Sequence, residues 1–238
     1  MSRYIFRAVI WKEAICFFRN SLLIVLFYIF LMLGTNLFLP SLYIEENISP
    51  WMNDLLLNNA VILSATLIVT VGSVIISQSM SLERREGILK VLLGMNLPAE
   101  TIWLAQYCFA LISSYMIWLI VFCVYSMGVP VFYDMHMYMT KESLLLAFVV
   151  FPAVSALLLA VYAWLFWIAR NQTTQILYSM IPVLVYMISF YLSQVFAEIK
   201  LHIHILAAVG LILVSTAGII VIARIIKNID AEQIFDFK

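Results

Sequence analysis

Between Asp54 and Glu83 the chain reads LLLNNAVILSATLIVTVGSVIISQSMSL (residues 55–82), 28 residues without a charged side chain. A helix needs about 20 apolar residues to cross the hydrocarbon core of a bilayer, where the backbone must satisfy its own hydrogen bonds. Five further charge-free stretches share this property, at residues 20–44, 101–133, 143–169, 171–197 and 201–223. They are continuous rather than alternating, which disfavours a membrane β-barrel. The pattern predicts an all-α membrane protein with six transmembrane helices near residues 21–39, 59–80, 102–128, 144–168, 175–194 and 203–226. Residues 1–20 precede this 21–226 domain and a tail, 227–238, follows it.

Composition agrees. Of 238 residues, 65% are hydrophobic and 11% charged, against roughly 25% charged in an ordinary soluble domain. The net charge of zero removes the electrostatic case for nucleic-acid binding. The apolar core from Leu22 to Leu39 is too long for a signal h-region, and no Ala-x-Ala site follows it. The basic residues are sorted by side. Arg3, Arg7, Lys12, Arg19, Arg84, Arg85, Lys90, Arg170, Arg224, Lys227 and Lys238 fall on one side of the expected spans, and only Lys141 and Lys200 on the other. The positive-inside rule therefore predicts that both termini are cytoplasmic. Cys16, Cys108 and Cys123 all lie outside the expected external loops, so no disulfide framework is implied. Asn47-Ile48-Ser49 is a glycosylation sequon on the outer side, and chance occurrence is the preferred reading.

Enzymatic signatures are absent: there is no His-Glu-x-x-His, Gly-x-Ser-x-Gly or Gly-Lys pair. The span interiors hold no ionisable residues, which weakens intramembrane catalysis and proton- or sodium-driven transport alike. His202 and His204, with Glu198 nearby, suggest a metal site only weakly: residues two apart on a helix face different ways, and no third ligand follows at a recognisable spacing. His136 sits in a Met- and Tyr-rich external loop, Pro130–Glu142, with Tyr133, Met135, Met137, Tyr138 and Met139. An interfacial aromatic belt is preferred there over a copper site. Ala153, Ala156, Ala160 and Ala163 form a small-residue stripe suited to close helix packing. Pro152 and Pro182 are kink candidates.

The most informative segment is the inner loop from Ser81 to Glu100, which mixes dense charge with a short apolar helix pattern. Ile88, Val91 and Leu92 are spaced to share a helical face, and Glu86 and Lys90 form an i,i+4 pair in the better order. Gly94 and Asn96 make a turn, and Pro98 and Glu100 suit the first turn of the next helix. On physics alone this is a solvated loop, a membrane-surface helix or a docking element for a cytoplasmic partner.

The loop resembles that of the type-2 ABC exporter permeases, in which clustered Glu and Arg, then Gly, a short Leu-rich helix and a Pro-containing turn join the second and third spans. Glu83, Arg84, Arg85, Glu86, Gly87, Leu89, Leu92, Leu93 and Pro98 match that pattern, with Lys90 inside it. Ile88 stands where Thr is common in the family, and the turn from Gly94 to Pro98 is looser than usual. The resemblance extends to the six-span layout and the length of a stand-alone subunit. It implies a coupling helix at about Glu86–Leu93 that docks on a separate cytoplasmic ABC ATPase carrying ATP and Mg, with no cofactor in this chain. It also implies a second permease as a homodimer or related heterodimer partner, a bacterial inner (plasma) membrane, and an N-terminal connecting helix over Tyr4–Phe18 at the inner interface. Arg3 and Arg7 point nearly opposite to Lys12 and Arg19, so the amphipathic face of that helix is poor. Only residues 194–201 separate spans five and six, so any re-entrant element there is short or absent. The competing functions are a six-span substrate-binding module of an uptake system, a haem-exporter-like permease subunit, and a structural or sensory membrane protein. The apolar spans suggest an apolar or amphipathic cargo such as a peptide, lipid or drug.

Overall fold

A computed structural model describes residues 2–38, 51–88, 91–92, 97–133, 140–169, 172–181, 183–185, 187–188, 191 and 205–228. Among the described residues the chain is all helix. In order these are α1 (Ser2–Cys16), α2 (Leu22–Phe38), α3 (Trp51–Arg85), α4 (Ala99–Tyr133), α5 (Lys141–Leu145), α6 (Phe151–Ile168), α7 (Gln172–Ser179) and α8 (Ile205–Lys227). Among the described residues five helical stretches are long and apolar enough to cross a membrane: Tyr4–Thr35, Asn59–Arg84, Ala99–Phe132, Lys141–Ile168 and Ile205–Lys227. The span expected at 175–194 falls partly outside the described residues; within it α7, 183–185 and 187–188 are helical.

Two helices are longer than the spans expected at 59–80 and 102–128. The second span continues to Arg85, so Glu83, Arg84 and Arg85 are the final turn of a helix rather than loop. The third runs through Pro130 to Tyr133, so that the proline removes one ladder bond with three helical residues beyond it. Likewise, the N-terminal segment is not separated from the first span. A π-helical turn over Phe17–Ser21 joins α1 to α2, with the Leu22 N–H donating to the Phe17 carbonyl. One inserted residue preserves the helix while rotating the faces on either side of it. Along α1 and the π-helical turn, Val9, Glu13 and Phe17 are buried, while Tyr4, Trp11, Ile15 and Phe18 are exposed. The Glu13 carboxylate is thus turned inward and the rings of Tyr4, Trp11 and Phe18 outward, an arrangement suited to a lipid-facing helix.

A second π-helical turn, Leu146–Val150, joins α5 to α6 immediately before Pro152. Proline lacks the N–H of a regular ladder, and a wider turn just before it relieves the clash with the preceding carbonyls. Thr140 caps α5, its hydroxyl oxygen accepting from the Ser143 N–H at 3.2 Å.

The helices are arranged around α3. Of its most apolar window 83% is buried, whereas the other four candidate spans are buried by 17–39%. α3 packs against α6, α4, α2 and both π-helical turns. The absent side chain of Gly72 makes room for Leu159 of α6: a Cβ there would lie 2.7 Å from it. On its other side α6 packs on α8, where Gly218 admits Leu157 in the same way. Ala156, Ala160 and Ala163 of the small-residue stripe are buried. In lipid there is little hydrophobic force between helices, so such close backbone approach supplies van der Waals contact instead. Trp118, wholly buried, fills the space between α4 and the second π-helical turn, its ring 4.9 Å from Phe148 and 5.7 Å from Phe122.

Candidate functional site

The last turn of α3 sends two charged side chains in different directions, because consecutive helical residues sit about 100° apart at 3.6 residues per turn. Glu83 points toward α1 and α4 and is 2% exposed. Its Oε2 accepts from Gln106 Nε2 at 2.7 Å, and its Oε1 pairs with Lys12 Nζ. Lys12 also pairs with the neighbouring Glu13 Oε1 at 2.7 Å. From Gln106 the network continues, since its Oε1 accepts from Trp167 Nε1 at 3.1 Å. Five side chains on α1, α3, α4 and α6 therefore form one connected polar chain at the end of the bundle.

Arg84 points the other way and closes the end of α6. Its Nη2 donates to the Phe166 and Trp167 carbonyls at 2.9 and 2.7 Å, and its Nη1 to the Ala169 carbonyl. The last carbonyls of a helix have no ladder partner, and a guanidinium there also suits the negative end of the helix dipole. Lys12, Arg84, Glu13 and Glu83 sum to zero formal charge. A buried ion pair contributes little net stability, but removing one member leaves a charge stranded at a cost of about 3–5 kcal/mol. The end of α3 is thus held in position by groups that cannot be separated cheaply.

Past Arg85 the helix stops at Gly87, whose φ of +70° is the left-handed geometry that favours glycine. Ile88, Val91 and Leu92 are helical again, the Val91 N–H donating to the Gly87 carbonyl at 3.2 Å. They do not all share one environment: Val91 is 63% exposed, while Leu92 packs against the core. Glu86 and Pro98 are exposed. The Pro98 carbonyl accepts from the Thr101 and Ile102 N–H groups, opening α4 with Glu100 in its first turn. Of the remaining expected site residues, Arg85 is helical in its backbone, and Leu89, Lys90 and Leu93 lie outside the described residues. Glu83 and Arg84, expected to belong to the coupling segment, are engaged with other helices of the chain. His136, Glu198, His202, His204, Pro182 and the Asn47 sequon also lie outside the described residues.

Sequence reasoning did not find Glu13, Gln106 and Trp167. The available signal was cost: an amide or carboxylate at this depth needs a partner. It also passed over a stripe on α3, where Asn59, Thr66, Thr70, Ser73 and Ser77 recur at spacings of seven, four, three and four. The hydroxyls of Thr66, Ser73 and Ser77 bond back to the carbonyls of Ile62, Thr70 and Val74 at 2.7–3.0 Å, which satisfies them within the helix. Among the described residues no group of three or more His, Cys, Asp or Glu side chains could hold a metal ion, and the three cysteines are free. Compared with protein-family models, curated proteins and solved structures, the chain has no match.

Proposed function

We propose that the chain is the transmembrane permease subunit of an ATP-driven exporter of the type-2 ABC class, with six spans and both termini in the cytoplasm. The observation that carries this reading is the way the 86–98 loop is rooted. It leaves the most buried helix of the bundle directly after Glu83 and Arg84, which tie that helix to α1, α4 and α6. A connector that only spans two helices needs no such attachment, whereas a lever needs a fixed base. In this reading the coupling segment, about Glu86–Leu93, in which Glu86 and Val91 are exposed, docks on a separate ATPase that holds ATP and Mg. Glu83 and Arg84 form the base that passes its displacement to the spans. A second permease subunit completes the path in the inner membrane, and the cargo is apolar or amphipathic, in keeping with spans that carry exposed Leu, Ile, Met and Phe and with the six charge-free stretches of the sequence.

The test is uncoupling. Gly87→Pro imposes a negative φ where +70° is required, and Glu86→Lys reverses an exposed charge without touching the network. Both variants are expected to insert in the membrane normally while export falls severalfold relative to ATP hydrolysis. Unchanged export by both would exclude the loop as the coupling element.

A further inference from the structure

The Gln106 side chain is hydrogen-bonded to both the end of α3 and the end of α6, and it is 2% exposed. Its two neighbours dictate which way its amide faces. An ionised Glu83 carboxylate offers only acceptors, and the Trp167 indole offers only a donor. The amide NH2 must therefore face Glu83 and the amide oxygen must face Trp167, as observed at 2.7 and 3.1 Å. No apolar residue reproduces this directional link, and a carboxylate at 106 would confront the carboxylate at 83.

We infer that Gln106 is a positioning residue for the loop: acting through Glu83, it fixes the base of the 86–92 segment relative to α6, and so determines how loop displacement reaches the spans. This rests on the coupling role proposed above for the loop. Lys12 holds the opposite face of the same carboxylate, so Glu83 is gripped between α1 and α4. Arg84 separately anchors α3 to the carbonyls beside Trp167. Movement of the loop base without movement of α6 would break the Gln106 link first, since it consists of two neutral-donor hydrogen bonds rather than an ion pair.

The polarity of the link permits a swap. In the double variant Glu83→Gln/Gln106→Glu the new amide at 83 donates to the new carboxylate at 106 and still accepts from Lys12, while Trp167 donates as before. Every hydrogen bond is retained with its direction reversed at one step, and the total charge is unchanged. Either single variant leaves a mismatch: two facing carboxylates, or an amide NH2 turned toward an ammonium or another NH2. The measurement is amide hydrogen exchange of residues 86–92 in the full chain reconstituted in lipid nanodiscs. Each single variant is expected to speed exchange about tenfold or more, the size expected from an unsatisfied buried polar group, and the double variant to return to within about threefold of the parent. Trp167→Phe, which keeps the ring and removes only the donor, gives a smaller acceleration and reads the link without disturbing the ion pairs. Additive acceleration in the double variant, or no change in either single variant, would overturn the assignment of Gln106. The same variants assayed for transport per ATP hydrolysed separate the two ideas. If the single variants lose loop protection but transport per ATP stays at the parent value, the coupling role of the loop fails while the hydrogen-bonded link stands.

Discussion

The two ends of α3 are held by different means. At the Arg85 end, Lys12, Glu13, Glu83, Arg84, Gln106 and Trp167 join helices through ion pairs and directional hydrogen bonds. Toward the Trp51 end the Tyr125 hydroxyl donates to the Leu56 carbonyl at 3.2 Å and the Ser155 hydroxyl to the Ala65 carbonyl at 3.3 Å, with buried Leu56, Ala60, Val61 and Val129 in the same apolar core. Apolar packing tolerates small sliding motions, because one methyl contact replaces another at similar energy. Charged and hydrogen-bonded contacts do not, because a partner lost in a dry site is not replaced. The Arg85 end is thus fixed by charged and directional contacts, and the Trp51 end coheres mainly through apolar packing.

The strongest way to break this comparison is Lys12→Leu, which strands the carboxylates of Glu13 and Glu83 without their shared cation. A loss of about 3–5 kcal/mol is expected, seen as a lower unfolding temperature in detergent and as faster proteolysis near α1. A loss below about 1 kcal/mol, the range of an exposed pair, would mean that the network is solvated and not a buried anchor. Between the two ends, Gly72→Val forces a branched side chain against the fully buried Leu159, and overpacking of this kind costs about 1–3 kcal/mol. Its effect should reach the α3–α6 contact and leave the α1–α4 contact intact, as read by hydrogen exchange on each pair. The smallest effect is expected at the opposite end: Tyr125→Phe removes one hydrogen bond, about 0.5–1.5 kcal/mol, and exchange of the 86–92 amides should stay at the parent rate. Acceleration of the loop by Tyr125→Phe would erase the distinction between the two ends.

The charge-free stretches made the membrane class and most of the helices legible, because hydrocarbon thickness dictates a length that no soluble helix needs. The boundaries were less legible. Glu83 and Arg84 read as loop because they are charged, yet they remain in the helix because Lys12, Gln106 and the α6 carbonyls replace water as their partners. The start of the first span at residue 21 was placed by the charge of Arg19, whereas the π-helical turn over Phe17–Ser21 lets one helix run through it. The poor amphipathic face of the N-terminal segment has a simple origin: Glu13 is buried, and the aromatic residues at 4, 11 and 18 face outward. Within the loop, the proline at 98 could be placed from sequence, since it answers to a local backbone requirement, whereas the left-handed turn at Gly87 falls inside the helix expected from Glu86, and the turn expected at Gly94 and Asn96 lies outside the described residues. Gln106 and Trp167 could not, because their partnership depends on where three helices end relative to one another.

The central claim is that the loop after α3 engages an ATPase and is the handle by which the spans are moved. Its most direct test is site-specific photocrosslinking in intact membranes, with a photoreactive amino acid replacing Glu86 or Val91, both exposed in the structure. The account predicts an adduct with a separate ATP-hydrolysing subunit at both positions, lost when Gly87→Pro is added. Adducts confined to lipid, or to proteins without ATPase activity, would contradict it.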